Sequence, residues 1–174
     1  MKRIIELYEL HNQVIFRYFL RMTGNTEEAR ELTQETFYQV CLSIFRFKNQ
    51  ASLKTWLFSI ARNVYLKRIR DGNKHKLLSF EDDIALPRPT LQELDSPAEL
   101  LIQKEERERI QVALSQLSEN ARSVIILKEY EQQSYEEIAG VMGQTVNWVR
   151  VTFFRAKQQL GQVYREMEGD NDDK

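Results

Sequence analysis

The sequence predicts an all-α protein made of two small helical domains joined by a flexible linker. Apolar residues recur three and four positions apart over long stretches, which is the period of a helix. Only six glycines and three prolines interrupt the 174 residues, and all three prolines lie within residues 74–98. Because such a stretch is long for a loop inside a compact domain, it is interpreted as a tether between two domains.

The predicted boundaries follow from this division of the chain. The N-terminal domain covers residues 1–73, the acidic, proline-containing linker covers 74–98, and the C-terminal domain covers 99–165. Residues 166–174 form an acidic tail, and its composition predicts disorder.

The N-terminal domain is predicted to contain helices over residues 4–22, 26–45 and 53–70. Thr26 is expected to cap the second helix, with Glu27 and Glu28 in the first turn, where the helix dipole favours acids. Cys41 is the only cysteine, so an internal disulfide is excluded. Because Cys41 stands in an apolar-rich stretch, its side chain is expected to be buried.

The C-terminal domain is predicted to contain helices over residues 99–117 and 121–132, followed by a helix-turn-helix over 134–157. Ser118 is expected to cap the second of these helices, which carries the buried-looking run 124–127. Ser134 and Glu137 have the spacing of a capping box, and Gly143 suits the left-handed residue that ends a helix. Thr145 then caps the next helix. A helix-turn-helix places one helix in the DNA major groove.

The net charge is only −1, but the charges are unevenly distributed. Residues 62–76 carry six lysines or arginines and one acid, and no acid occurs between residues 144 and 165. Basic segments that coincide with predicted helices favour contact with nucleic acid at two places in the chain. The alternative is that these helices have basic faces that are simply solvated.

The helix over 53–70 has a second face with mixed chemistry, formed by Trp56, Asn63, Lys67 and Arg70. Aromatic rings stack on unpaired bases, cations hold the backbone, and an amide reads a base edge, so this face suits single-stranded nucleic acid. The helix over 26–45 is instead acidic and amide-bearing. It is interpreted either as a docking face for a basic helical partner or as ordinary solvation with dipole compensation.

Together and in this order, these segments resemble bacterial sigma factors of the extracytoplasmic-function type. Residues 31–37 read ELTQETF, which is similar to the family's Asp/Glu-Leu-x-Gln-Glu-x-Phe signature. Residues 55–63 read TWLFSIARN, which matches its Thr-Trp-Leu-x-x-Ile-Ala-x-Asn signature. Residues 135–139, YEEIA, and 149–160, VRVTFFRAKQQL, are similar to its C-terminal signature. The resemblance covers nearly the whole chain apart from the linker and the acidic tail.

The resemblance implies a promoter-specificity subunit that directs core RNA polymerase and has no catalysis of its own. The N-terminal domain would bind the polymerase clamp helices and open the minus-ten element, with an extruded base held at Asn63. The C-terminal domain would read the minus-thirty-five element and meet the flap tip, while the linker runs through the polymerase channels. An anti-sigma protein, commonly bound to the membrane, is an expected partner in a stress or envelope response. No cofactor, metal or small-molecule substrate is implied.

The same resemblance assigns candidate residues to three surfaces. The expected core polymerase contacts are Glu28, Glu31, Gln34, Glu35 and Phe37. The expected minus-ten contacts are Lys54, Trp56, Arg62, Asn63, Lys67, Arg68 and Arg70. The expected minus-thirty-five contacts are Trp148, Arg150, Val151, Thr152, Phe154, Arg155 and Lys157.

Three departures from the family pattern leave the preferred DNA sequence open. Residues 147–148 are Asn-Trp where Gly-Thr is frequent, so a bulky ring stands at the start of the recognition helix. Residues 151–152 are Val-Thr in place of the frequent Ser-Arg, which changes two polar readers. Lys67 replaces the usual Asp or Asn and adds positive charge near melted DNA.

Two other classes of function fit the sequence less well. An autonomous helix-turn-helix regulator with an N-terminal sensor or dimerisation domain would not need the aromatic and basic face at 56–70. An enzyme is disfavoured because His11 and His75, the only histidines, have no partner residues for acid–base or nucleophilic work. The N-terminus lacks the apolar core of a signal peptide, and no apolar run approaches ~20 residues, so a cytoplasmic protein is expected.

Overall fold

The computed structural model describes residues 2–48, 51–75 and 97–172, and all of the regular structure in these ranges is helical. The α-helices are α1 (Lys2–Thr23), α2 (Thr26–Ser43), α3 (Leu53–His75), α4 (Pro97–Ser115), α5 (Glu119–Ile125), α6 (Tyr135–Met142) and α7 (Val146–Asp172). A 3-10 turn, Ile44–Arg46, follows α2, and a π-helical turn, Ile126–Tyr130, follows α5. The predicted all-α class is confirmed.

The N-terminal half is a three-helix unit in which α2 packs against both α1 and α3. Tyr18 and Phe19 of α1 and Phe58 of α3 are almost completely buried. The rings of Tyr18 and Phe58 meet edge to face with centroids 5.4 Å apart, an arrangement that aromatic quadrupoles favour. These large side chains fix the orientation of α3, whose outer face carries Asn63, Lys67 and Arg70 of the predicted minus-ten set.

The helix-turn-helix is built from the local signals that predict it. The Ser134 Oγ accepts from the Glu137 N–H at 3.1 Å, and the Glu137 carboxylate accepts from the Ser134 N–H at 2.8 Å. Gly143 ends α6 with a φ of +62°, a conformation that glycine adopts without a steric penalty. The Thr145 Oγ1 accepts from the Trp148 N–H at 3.1 Å and so caps α7. The capping box, the left-handed glycine and the second cap are all confirmed.

The two halves pack against each other along a surface that we call the seam, formed mainly by α3 against α6 and by α1 against α4 and α5. One hydrophobic cluster contains side chains from both halves. At its centre the Tyr18 hydroxyl lies 2.9 Å from the Ser123 Oγ, and both side chains are fully buried. The two domains of this chain therefore share part of their core in this arrangement.

Four local expectations were wrong. Asn25, not Thr26, caps α2, because its Oδ1 accepts from the Glu28 N–H at 2.9 Å. Cys41 is exposed, since it lies on the outer side of α2. The helix expected over 121–132 divides into α5 and the π-helical turn. The acidic tail is not disordered throughout, because α7 continues to Asp172.

The boundaries of the expected linker also differ from the helix ends. Helix α3 continues to His75, and α4 already begins at Pro97. Expectations for residues 76–96, including the path of the linker, fall outside the described residues. None of the helices in the described ranges is both long enough and apolar enough to cross a membrane.

Candidate nucleic-acid interface

Helix α7 presents a stripe of cationic and apolar side chains to solvent. Val149 and Ala156 are buried beneath this stripe and determine which face of the helix points outward. The exposed side chains of the stripe are Arg150, Val151, Phe154 and Arg155. Phe154 is 64% exposed, which is unusual for a large apolar ring. Arginine donors fit guanine edges, and apolar groups fit thymine methyl groups, so the stripe has the chemistry of a major-groove reader.

The three other residues of the predicted minus-thirty-five set are either half-buried or paired with another side chain. Trp148 is half-buried and packs against the main hydrophobic cluster, and Thr152 is half-buried as well. The Lys157 Nζ lies 3.0 Å from the Glu129 carboxylate, so part of its charge is compensated within the domain. The bulky ring that departs from the family pattern therefore has a structural role in addition to any contact with DNA.

The outer face of α3 carries a second mixed surface. The side chains of Asn63, Lys67 and Arg70 are exposed, and Trp56 is half-buried. Asn63 and Arg70 line an open depression together with Leu66, Ile69 and Glu119. The amide, the cation and the apolar walls that α3 contributes are chemically suited to an unpaired base, while Glu119 belongs to α5 in the other half.

Phe47 belongs to the same region, although the sequence analysis did not select it. Its ring lies 4.8 Å from the Trp56 ring, centroid to centroid, with the planes tilted by 35°. Phe47 follows the 3-10 turn, and no helical period marks it as a neighbour of Trp56. The only signal in the sequence is an aromatic residue in a short loop next to an aromatic helix.

Arg62, Lys54 and Arg68 of the predicted minus-ten set are already engaged by protein groups. Arg62 is 5% exposed; its guanidinium donates to the Asn120 Oδ1 and lies 3.9 Å from the Glu119 carboxylate. The Lys54 Nζ donates to the Glu131 carbonyl at 2.8 Å. Arg68 pairs with the exposed carboxylate of Glu31. Both Asn120 and Glu131 belong to the C-terminal half, so the seam covers one side of the basic surface of α3.

Burial also changes the acidity of two groups that interact with Lys54. The pKa of the Glu131 carboxyl is raised by burial, and Lys54 opposes this rise. The pKa of His11 is lowered by burial and by the positive charge of Lys54. Both shifts bias the groups toward their neutral forms.

A third surface lies on α2 and is acidic with an apolar border. Glu31, Gln34 and Glu35 are exposed and Glu28 is half-buried. Phe37 is buried, with its ring 4.9 Å from the Tyr8 ring, so it supports this surface from below. The apolar border of this surface consists of the exposed side chains of Tyr38, Leu42 and Phe45, and Phe45 is 91% exposed. The spacing 34, 38, 42, 45 is helical and could have identified these three residues in the sequence.

The comparisons with known proteins agree with both halves of this description. Residues 7–75 match a family described as Sigma-70 region 2, and residues 107–160 match one described as Sigma-70, region 4. RNA polymerase sigma factor YlaC of Bacillus subtilis is 31% identical over 157 residues, which cover 90% of this chain and 89% of the relative. The ECF RNA polymerase sigma factor SigX of the same species is also 31% identical, with 88% and 79% covered.

This chain belongs to the extracytoplasmic-function family of RNA polymerase sigma factors. The predicted family is therefore confirmed. The sigma factor also shares its fold with solved relatives at low identity. RpoE of Bartonella quintana, in complex with the anti-sigma factor NepR, has a TM-score of 0.76 at 20% identity, covering 95% of this chain and 98% of that one. CnrH, in complex with the cytosolic domain of CnrY, has a TM-score of 0.68 at 21% identity, covering 95% and 90%.

The structure groups the predicted site residues of the sigma factor into three surfaces and separates a few from them. Arg150, Val151, Phe154 and Arg155 lie together on α7, and Asn63, Lys67 and Arg70 lie together on α3. Arg62 and Phe37 are covered by neighbouring helices. Since α3 and α7 lie on different halves, the sigma factor has two separate basic surfaces.

Proposed function

We propose that this sigma factor directs core RNA polymerase to promoters by using α3 at the minus-ten element and α7 at the minus-thirty-five element. The observation that carries this proposal is the pair of exposed cationic surfaces on separate halves of the chain. The domain of residues 1–73 binds the polymerase and melts DNA, and the domain of residues 99–165 binds duplex DNA. The sigma factor works in the cytoplasm and contributes specificity, while the catalysis belongs to the core enzyme.

Run-off transcription with purified bacterial core enzyme tests this function. Genomic fragments are transcribed with core alone and with core plus the sigma factor, and new start sites are mapped. The proposal requires start sites that appear only with both components. If the sigma factor redirects core to no start site and instead binds a specific duplex tightly by itself, it acts as an autonomous regulator.

The minus-ten proposal rests on the exposed face of α3 that carries Asn63, Lys67 and Arg70. We expect Asn63→Ala to weaken promoter melting by about 1 kcal/mol, roughly fivefold, because one hydrogen bond to the extruded base is lost. The measurement is permanganate reactivity of thymines in the melted region, together with co-purification of sigma factor and core. Asn12→Ala on α1 serves as the matched amide control. Undiminished melting in Asn63→Ala with normal core binding removes Asn63 from the site.

The core-binding proposal rests on the exposed carboxylates and amide of α2. We expect Gln34→Ala combined with Glu35→Ala to weaken association with core by about 1–3 kcal/mol, since a charged interface loses complementarity to a basic helical partner. Affinity for core is measured by fluorescence anisotropy of labelled sigma factor at two salt concentrations. The control pairs Glu9→Ala with Gln13→Ala, an exposed acid and an exposed amide on α1. Equal affinities for the two double variants would exclude this face.

Promoter binding requires the two halves to separate. Elements centred about 25 base pairs apart lie about 85 Å apart at 3.4 Å per step. A compact chain of 174 residues has a radius of gyration of only about 16 Å. The chain between α3 and α4 has 21 residues, 76–96. A chain of this length reaches at most about 70 Å. The seam therefore opens on the promoter, and Arg62 becomes available to DNA only then.

Control by an anti-sigma protein is the remaining part of the proposed function. RpoE, which shares this fold, is in complex with the anti-sigma factor NepR, and CnrH is in complex with the cytosolic domain of CnrY. An anti-sigma partner that stabilises the seam would keep α3 covered, and a membrane-bound partner would keep the sigma factor at the envelope until a stress signal releases it. Co-purification of the sigma factor from cell membranes before and after envelope stress tests this control.

A further inference from the structure

Tyr135, the first residue of α6, stands between two cations of the helix-turn-helix. The Lys128 Nζ lies 4.4 Å from the centre of its ring, and the Arg150 Cζ lies 5.5 Å from the same centre. The Phe153 ring meets Tyr135 edge to face at 5.9 Å and holds it against α7. Tyr135 is half-buried and packs against the main hydrophobic cluster.

Both distances lie within the range, about 6 Å, in which a cation is attracted to the face of an aromatic ring. Lys128 comes from the π-helical turn and Arg150 from the recognition helix, so Tyr135 connects charges from two elements. The Lys128 Nζ also donates to the Gln133 carbonyl at 3.2 Å. Among the described residues, no carboxylate forms an ion pair with the exposed Arg150, whose guanidinium lies over the Tyr135 ring.

An exposed arginine loses side-chain entropy when it is ordered on a base, and a preformed contact reduces that loss. Arg150 lies on the first turns of the recognition helix, where side chains reach base edges in the major groove. A ring that restrains Arg150 therefore favours the bidentate geometry that distinguishes guanine from the other bases.

We propose that Tyr135 is a positioning residue for promoter recognition, because its ring orients Arg150 for base reading and Lys128 for the neighbouring phosphate. The inference rests on the proposed function of α7 and deepens it. Tyr135 itself touches no base, and its contribution passes through the two cations.

A double-mutant cycle in the reconstituted holoenzyme tests the coupling. Binding is measured on a promoter fragment selected by run-off transcription with the wild-type protein. Arg150→Ala is expected to weaken binding about 10- to 100-fold if its base contact is bidentate. Tyr135→Leu is expected to weaken it about 2- to 5-fold, and to cause a smaller loss in the Arg150→Ala background, where only the contact with Lys128 remains. Equal losses from Tyr135→Leu in both backgrounds would overturn the coupling to Arg150.

A second series separates positioning from support of the fold. Tyr135→Phe keeps the ring and is expected to retain wild-type binding and base discrimination. Tyr135→pentafluorophenylalanine keeps the ring shape but removes negative charge from its face, so it is expected to bind as weakly as Tyr135→Leu. Because the fluorinated ring fills the same space, this comparison holds even if Tyr135→Leu does not fold. Binding equal to that of Tyr135→Phe would refute the role of the ring face.

Tyr130→Leu is the matched control, because the Tyr130 ring also lies under a cation, with the Arg21 Cζ at 4.0 Å, and that cation belongs to α1 and not to the recognition helix. It should leave promoter discrimination unchanged in the holoenzyme. A wild-type holoenzyme that selects no promoter would reject the proposed function itself. A functional holoenzyme with an additive cycle would reject only the positioning role of Tyr135.

Discussion

A disulfide between positions 55 and 140 is expected to abolish nearly all promoter-dependent transcription, and reduction is expected to restore it. A Cβ built on Gly140 lies 3.3 Å from the Thr55 Cγ2, close to the roughly 3 Å between a Cβ and the partner sulfur in a disulfide. Thr55 lies on α3 and Gly140 on α6, so the bond crosses the seam. Because the minus-ten and minus-thirty-five surfaces must separate by tens of ångströms on a promoter, the locked chain reaches only one element.

The variant combines Thr55→Cys and Gly140→Cys with Cys41→Ser, since Cys41 is exposed and would form unwanted bonds. Run-off transcription is measured with core enzyme, with and without dithiothreitol, after gel electrophoresis has confirmed the intramolecular bond. Each single cysteine variant in the Cys41→Ser background receives the same treatment and should transcribe in both conditions. Full activity of the oxidised double variant would show that the halves need not separate.

Arg122→Ala is expected to lower the free energy of unfolding by about 2–4 kcal/mol, because one charged group satisfies several helix-end carbonyls. Its guanidinium donates to the Leu114 carbonyl at 2.8 Å, the Leu117 carbonyl at 3.0 Å and the Ser115 carbonyl at 3.1 Å. A fourth bond reaches the Met22 carbonyl near the end of α1, in the other half. Without Arg122, these carbonyls at the ends of α4 and α1 lose their partner.

Urea unfolding followed by circular dichroism measures this effect. Arg30→Ala is the control, because Arg30 is exposed and, in the described part of the chain, forms its ion pair with the exposed Glu27, a surface pair worth at most about 1 kcal/mol. A loss below about 0.5 kcal/mol in Arg122→Ala would show that water replaces the guanidinium at these carbonyls.

The features that sequence analysis identified correctly are those with local causes. The capping box at Ser134, the left-handed Gly143 and the cap at Thr145 each depend on residues within four positions of each other. The core side of α3 follows from a helical period, and the buried run 124–127 from its composition. Such signals are sufficient to predict an all-α chain with a helix-turn-helix.

The features that sequence analysis missed depend on residues far apart in the chain. Arg62 is a cation in a basic segment, which predicts an exposed DNA contact. It is buried because Asn120, 58 positions away, packs against it. The contact of Tyr18 with Ser123 spans 105 positions and has no local signature. Cys41 was misplaced for a different reason: an apolar neighbourhood does not say which side of a helix a single residue occupies.

The seam buries polar groups that would be hydrated if the two halves separated. The Arg62 Nη1 is buried without a hydrogen-bond partner in the described structure, as are both polar atoms of the Gln133 amide, in the turn that follows Glu131. Burial of each such group without a hydrogen-bond partner costs about 1–3 kcal/mol of free energy, and hydration removes this cost. The packed arrangement of the two halves is therefore less stable than its apolar contacts alone suggest. Hydration of these polar groups assists a polymerase that separates the halves.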